Sequence, residues 1–304
     1  MRGLFLDAVD DLADVYRRVA RPGDPPVDVN EQDEIPPEDL PRLLAGYDFV
    51  LDDHSRMPTE VMRACTGLRH IIFLGTGARS YMHPEELETL GIKVHIIKGY
   101  GDTAVAEHSF ALMWAAARNI ALMDRGMRAG EWIRTEGPQL TGKTLGLIGY
   151  GGIGAEMARL AGGAGMRVLA WNRSHRHAPG VEFAPLERVL AEADVLSLHL
   201  LLNDETRGFL SAERIARMKP GAILVNTARG ALVDEAAMIA ALRAGRLRHA
   251  ALDVFATEPL PADHELTRLE NVTLSAHSAF RTPESSEKLL RMALDIARGL
   301  AGAG

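Results

Sequence analysis

The sequence predicts an α/β protein built on parallel sheets, and three observations carry that reading. Short runs rich in Val, Ile and Leu alternate with helical patterns and compact turns along the 304 residues, the order that a parallel sheet covered by helices requires. The runs fall into two blocks. In the second block a glycine-rich turn closes an apolar strand and opens a helix, the context in which such a turn belongs to a doubly wound sheet.

In the first block "GLFLD", "DFVLD", "RHIIFLG" and "KVHIIKG" read as strands, with "MPTEVMRACTG" and "PEELETLG" as helices. Cys65 sits on an amphipathic pattern there and reads as a packing residue. The Pro-rich "RPGDPPVDVNEQDEIPP" reads as a surface connection. A stretch rich in Ala, Leu and Met, "TAVAEHSFALMWAAARNIALMDRGMRAGEW", favours helix over strand and joins the blocks. In the second block "KTLGLIGY", "RVLAWN", "DVLSLHLLL", "AILVNTA", "HAALDVF" and "VTLSAH" read as strands. Between them lie the helical runs "IGAEMARLAGGAG", "LERVLAEA", "SAERIARM" and "DEAAMIAALRAG". A last amphipathic helix carries Leu289, Met292, Leu294 and Ile296, and with no strand after it, it is free to return to the first block.

Composition bounds the function. The length is that of about two ordinary domains, and a chain that is 47% hydrophobic and 25% charged can bury two cores. A net charge of -7 argues against a sequence-independent nucleic-acid binder, which needs an excess of Lys and Arg. One cysteine excludes an internal disulfide and a thiolate metal cluster and points to a reducing compartment. The histidines have no metal-ligand spacing. The N-terminus has too short an apolar run for a signal peptide, and no apolar stretch is long enough to span a bilayer. The expected location is the cytoplasm.

Gly149, Gly151 and Gly154 stand in "LGLIGYGGIGAEMARL". The first glycine permits the tight turn, the second a close approach to a pyrophosphate, and the third close packing of helix on strand. The helix start offers unpaired N–H groups to the phosphates. Asn172 lies 23 residues beyond Gly149, where a carboxylate would take the adenosine ribose and select NAD. Instead "WNRSHRH" puts Arg173, Ser174 and Arg176 beside a neutral Asn172, which favours a 2'-phosphate, with His175 and His177 adding charge in acid. The competing reading is a solvated turn.

Three segments end predicted strands where open α/β sheets bind ligands: "VNTARG", "DVFATEPLP" and "SAHSAF". They carry Arg229, Glu258 and His277, spaced by 29 and 19 residues.

From "GYGDTAVAEHSFALM" through "LTGKTLGLIGYGGIG", "NDETRGFLS", "MKPGAILVNTARGALVDE" and "ALDVFATEPLP" to "NVTLSAH", the chain resembles the D-isomer-specific 2-hydroxyacid dehydrogenases, a family that includes glyoxylate/hydroxypyruvate reductases and phosphoglycerate dehydrogenases. The likeness covers nearly the whole chain. It implies a Rossmann nucleotide domain, residues 99–282, inserted into a split flavodoxin-like substrate domain, residues 1–98 and 283–304, with the active site in the cleft between them. Hydride would pass between nicotinamide and C2 of a small 2-oxo acid, glyoxylate or hydroxypyruvate being the favoured candidates. His277 would be the acid/base, Glu258 would hold its imidazole, and Arg229 would bind the substrate carboxylate and carbonyl oxygen. The implied cofactor set is Gly149, Gly151, Gly152, Ile153, Gly154, Asn172, Arg173, Ser174, Arg176, Thr227, Ala228 and Asp253, with NADP(H) preferred and NAD(H) as the second cofactor. His108 and His199 match family positions with supporting roles. "RNIALMDRGMRAGEWIR", with Met123, Met127 and Trp132, resembles the family's dimerisation segment and implies a homodimer.

The departures lie at the substrate end. In "LGTGARSYM" the amides of Thr76, Gly77 and Ala78 would bind the substrate carboxylate, but Ala78 and Arg79 replace an acid often found nearby. Phe280 stands where many relatives have glycine or tryptophan, and Leu201 where proline is common. Two alternatives share the fold: an NAD(H)-sensing corepressor, which would need interaction segments beyond the enzyme core, and formate dehydrogenase, which carries an amide where this chain has Glu258.

Overall fold

A computed structural model describes residues 1–9, 11–174 and 176–302. The chain divides into two compact units: Met1–Gly101 with Arg281–Gly304, and Asp102–Phe280.

The first unit holds five parallel strands, β1 (Gly3–Phe5), β2 (Val27–Val29), β3 (Phe49–Asp52), β4 (His70–Phe73) and β5 (Lys93–Ile96), in the order β2-β1-β3-β4-β5. This is the flavodoxin order. β1 and β3 are buried along their whole length, which explains why they read as unbroken apolar runs, not as alternating ones. One face packs Leu4, Val50 and Ile71, and the other packs Phe5, Leu51 and Ile72 against Leu289, Leu290 and Ala293 of the final helix Pro283–Gly302. The last helix thus returns to the first sheet.

The Pro-rich segment departs from the reading as a plain connection. Its residues Val27–Val29 form an edge strand, pairing Gly3 with Val27 and Phe5 with Val29, and an edge is where flanking prolines are tolerated. Asp24, just before it, accepts two hydrogen bonds of 2.8 Å from the Arg291 guanidinium and further bonds from Arg298. The Arg291 bond holds the Asp24 carboxyl well below the usual carboxylate range, against the opposing effect of burial. Another difference is the run "MPTEVMRACTG", which forms only the single turn Thr59–Met62.

The second unit holds seven parallel strands, β6 (Thr144–Ile148), β7 (Arg167–Trp171), β8 (Val181–Phe183), β9 (Val195–Leu198), β10 (Ala222–Asn226), β11 (Leu247–Leu252) and β12 (Val272–Leu274), in the order β12-β11-β10-β9-β6-β7-β8. Counted outward from β6, this is the doubly wound dinucleotide-binding order with one strand added, and its direction reverses between β6 and β9. Two apolar layers cover the two faces. The stretch expected as one connecting helix is two, Asp102–Ala117 and Ile120–Arg128. Asn119 breaks it with a left-handed φ of 53°, a conformation Asn tolerates and most residues avoid. No described helix is long and apolar enough to cross a membrane.

Candidate active site

The glycine turn lies between β6 and the helix Gly152–Gly163, at the reversal point of the second sheet. Gly149 has φ 95°, and a methyl group there would stand 2.5 Å from the His199 carbonyl oxygen. One on Gly154 would stand 2.6 Å from the Gly149 carbonyl oxygen. Those two glycines let helix and strands close up. Gly151 faces open space, since a methyl group built on it meets nothing within 4 Å. The turn is therefore tight where the fold must pack and open at the helix start, where a pyrophosphate would be received.

Asn172 follows β7, and its half-buried side chain is held by neighbours on both sides. Its Oδ1 accepts from the Tyr150 amide at 3.1 Å, and its Nδ2 donates to the Ser174 carbonyl and hydroxyl at 3.0 and 2.9 Å. It ties the strand end to the glycine turn, a role the spacing argument did not foresee. Arg173 is exposed and pairs with Glu205 at 3.1 Å. Ser174, Arg176 and His177 are exposed, and His175 lies outside the described residues.

The ends of β10, β11 and β12 bring Arg229, Glu258 and His277 to one place. His277 Nδ1 and Glu258 Oε2 lie 2.7 Å apart, and Glu258 Oε1 accepts from the Phe255 amide at 2.8 Å. Burial alone would raise the Glu258 carboxyl, but the His277 bond, the Phe255 amide and the Arg229 charge hold it below the usual carboxylate range. Glu258 is ionised at neutral pH. With Nδ1 engaged, Nε2 is the His277 nitrogen available to a reacting group. Arg229 precedes a short turn, Gly230–Leu232, whose start packs on the Glu258 loop: a methyl group on Gly230 would overlap the Phe255 carbonyl group. Only glycine lets the two loops meet.

His277 has φ 48°, a left-handed conformation costing about 1–3 kcal/mol that persists only where the surroundings impose it. Asp253 imposes it. Fully buried, it accepts from Ser275 Oγ at 2.6 Å, from the Ser278 amide at 3.0 Å and from the Ala279 amide at 2.9 Å, while its carbonyl takes the His277 amide at 2.8 Å. Burial would raise its carboxyl, yet the bonds from His108, Ser275 and those two amides keep it below the ordinary range. Named beforehand with the cofactor residues, Asp253 braces the segment that carries the histidine. His108 supports it from the helix Asp102–Ala117, with Nε2 2.9 Å from Ser275 Oγ.

Asn226, unforeseen in the sequence, does the same for Arg229. It is buried at the end of β10, donates to the Arg229 carbonyl at 3.0 Å and accepts from the Ala228 amide at 3.1 Å. Thr227 beside it shares a 2.7 Å hydrogen bond with Ser109. The signal for Asn226 lay in the register of "ILVN", which ends a buried strand on an amide. His199 is 2.9 Å from Ser197 Oγ, and burial lowers it to about 4, so it is neutral.

In the first unit, Thr76, Gly77 and Ala78 follow β4. Among the described residues no protein acceptor takes their amide N–H groups. The nearby Arg79 pairs with Glu85.

A glycine cradle at the reversal of a doubly wound sheet, with a carboxylate-held histidine and an arginine at the neighbouring strand ends, defines an oxidoreductase that uses a nicotinamide dinucleotide. Residues 110–279 match the family model described as D-isomer specific 2-hydroxyacid dehydrogenase, NAD binding domain. A glyoxylate reductase of Aeropyrum pernix is 43% identical, over 98% of this chain and 90% of its own. A hydroxypyruvate reductase of Thermotoga maritima is 34% identical, over 83% of this chain and 84% of its own. The crystal structure of the TT0316 protein from Thermus thermophilus superposes with a TM-score of 0.88 at 33% identity, over 100% of this chain and 97% of that one. The chain belongs to the D-isomer-specific 2-hydroxyacid dehydrogenase family, and it is an oxidoreductase interconverting 2-oxo and 2-hydroxy acids.

Proposed function

We propose that the chain reduces a small 2-oxo acid, glyoxylate or hydroxypyruvate, to the D-2-hydroxy acid, with NADPH preferred over NADH. The observation that carries the chemistry is the 2.7 Å pair of His277 and Glu258 beside the Arg229 turn. The names of the two enzyme relatives support the substrate class. Residues 99–282 are assigned to the dinucleotide, and residues 1–98 with 283–304 to the substrate side.

The glycine turn fits a dinucleotide, being open at Gly151 and closed at Gly149 and Gly154. Gly149, Gly151, Gly152, Ile153 and Gly154 would hold the pyrophosphate, Asn172, Arg173, Ser174 and Arg176 the adenosine end, and Thr227 and Ala228 the other end. When bound, the reduced cofactor supplies the hydride that C2 receives. His277 Nε2 gives its proton to the carbonyl oxygen, which becomes the hydroxyl, while the ionised Glu258 holds the ring in place through Nδ1. The Arg229 guanidinium grips the substrate carboxylate through paired hydrogen bonds, and the open amides of Thr76, Gly77 and Ala78 are assigned to the same carboxylate. Asp253 stays assigned to the cofactor residues, and its hydrogen bonds brace the segment that carries His277.

The test is a panel of 2-oxo acids assayed with NADPH and NADH. Glyoxylate and hydroxypyruvate are expected to give the highest kcat/KM. Activity with none of the panel would move weight to the corepressor alternative, which the enzyme names of the relatives do not favour.

We also infer a cytoplasmic homodimer. The reducing compartment implied by one cysteine supports the location. For the dimer, Ile120, Met127 and Trp132 are 51%, 53% and 77% exposed on and just after the helix Ile120–Arg128, an apolar surface that a second copy would cover. Light scattering at micromolar concentration is expected to give twice the chain mass, and a monomer would refute the assembly.

A further inference from the structure

Asp102 begins the helix Asp102–Ala117, and its carboxylate lies against the start of another helix, Gly152–Gly163. A methyl group built on Gly152 would overlap Asp102 Oδ2 and stand 2.5 Å from its Cγ. The Asp102 carboxylate thus lies in the space over the Gly152 Cα, where a side chain at position 152 would have to displace it. That carboxylate is half-buried, and among the described residues it accepts no hydrogen bond and pairs with no cation. An acid in the first turn stabilises its own helix through the dipole. That accounts for an acid at this position, but not for its placement on the neighbouring helix start, beside the glycines that receive a pyrophosphate.

We propose that Asp102 is an affinity-setting residue of the dinucleotide site: a fixed negative charge that opposes the bound pyrophosphate and speeds cofactor release. The N-terminus of the Gly152 helix attracts an anion, and in the absence of cofactor Asp102 already supplies one. A pyrophosphate arriving there must share that positive end with a carboxylate that has no counter-ion of its own. Like charges a few ångströms apart at a partly solvated site repel strongly enough to change an equilibrium constant by about tenfold. Because the repulsion acts on the phosphates, it applies equally to NADH and NADPH. Exchange of the spent cofactor gains from it, since release steps often limit turnover. The inference rests on dinucleotide binding at this turn and is independent of which cofactor is preferred.

The experiment compares the unmodified full chain with Asp102→Asn and Asp102→Ser, both first checked for an unchanged far-UV spectrum. Calorimetry measures binding of NADH, NADPH, ADP-ribose and adenosine, and stopped-flow fluorescence measures NADPH release. Both substitutions are expected to tighten NADH, NADPH and ADP-ribose by about tenfold, with most of the change in a slower release rate, and to leave adenosine, which has no phosphate, unchanged. Unchanged or weaker dinucleotide binding in both folded variants overturns the proposal. So does equal tightening of adenosine, because the cause would then not be charge. Failure of the unmodified chain to bind either dinucleotide overturns the reading of the glycine turn itself.

Discussion

Replacing His277 by asparagine lowers kcat for 2-oxo acid reduction by about a hundredfold or more, the scale on which a lost general acid is felt. Asparagine is the informative replacement. His277 has φ 48°, which Asn accepts more readily than alanine, so the bracing of the segment by Asp253 survives and the loss reports on the missing proton donor. KM is expected to change little, because Arg229 and its supporting Asn226 are untouched. Glu258→Gln tests the same unit from the other side. It retains an oxygen for the Phe255 amide but removes the negative charge 2.7 Å from Nδ1, so kcat falls again, and the double variant is no worse than His277→Asn alone because the two act as one device. Near-normal turnover in His277→Asn at neutral pH would remove the histidine from the proton-transfer role.

The parts of this site that were legible in the sequence are those whose chemistry is concentrated in a few residue types. Gly149, Gly151 and Gly154 stand out because a turn that must both pack and admit a phosphate tolerates only glycine at set intervals, and Arg229, Glu258 and His277 because each follows an apolar strand. What supports them was not legible. In the sequence Asn226 is only an amide ending an apolar run and Asp253 reads as a cofactor residue, and only the folded backbone shows that their side chains hold the turns bearing Arg229 and His277. Gly230 was silent for a similar reason, since the need for it comes from a loop some 25 residues further on that packs against it. In the fold, β2 and β8 were missed because each is three residues long with an exposed acid, Asp28 or Glu182, at its centre, which leaves no apolar run to register. The break at Asn119 was hidden inside a stretch whose composition is helical throughout.

Cofactor choice is where sequence and structure together give the sharpest expectation. The unmodified enzyme is expected to prefer NADPH by about tenfold or more in kcat/KM, and Asn172→Asp with Arg173→Ala is expected to reverse the preference. A charge-assisted contact to a 2'-phosphate is worth roughly 1.5–3 kcal/mol, which is tenfold or more in a cofactor ratio. The competing partner of Arg173 is weak. Its pair with Glu205 joins side chains that are 83% and 75% exposed, the class of surface ion pair worth about 0–1 kcal/mol, so a phosphate dianion displaces it. The structure also shows why the double change is tolerable. An aspartate at 172 still accepts from the Tyr150 amide, preserving the tie to the glycine turn, and loses only the two donations to Ser174. The freed carboxylate oxygen can then take ribose hydroxyls and repel a 2'-phosphate. Because the loop is exposed, salt screens the attraction, and the NADPH preference of the unmodified enzyme shrinks as ionic strength rises while kcat/KM for NADH changes little. The measurement is kcat/KM for both cofactors at low and high salt in the unmodified and doubly substituted enzymes. Equal values for NADH and NADPH in the unmodified enzyme at low salt would mean that Arg173 serves Glu205 alone and that the loop is a solvated turn.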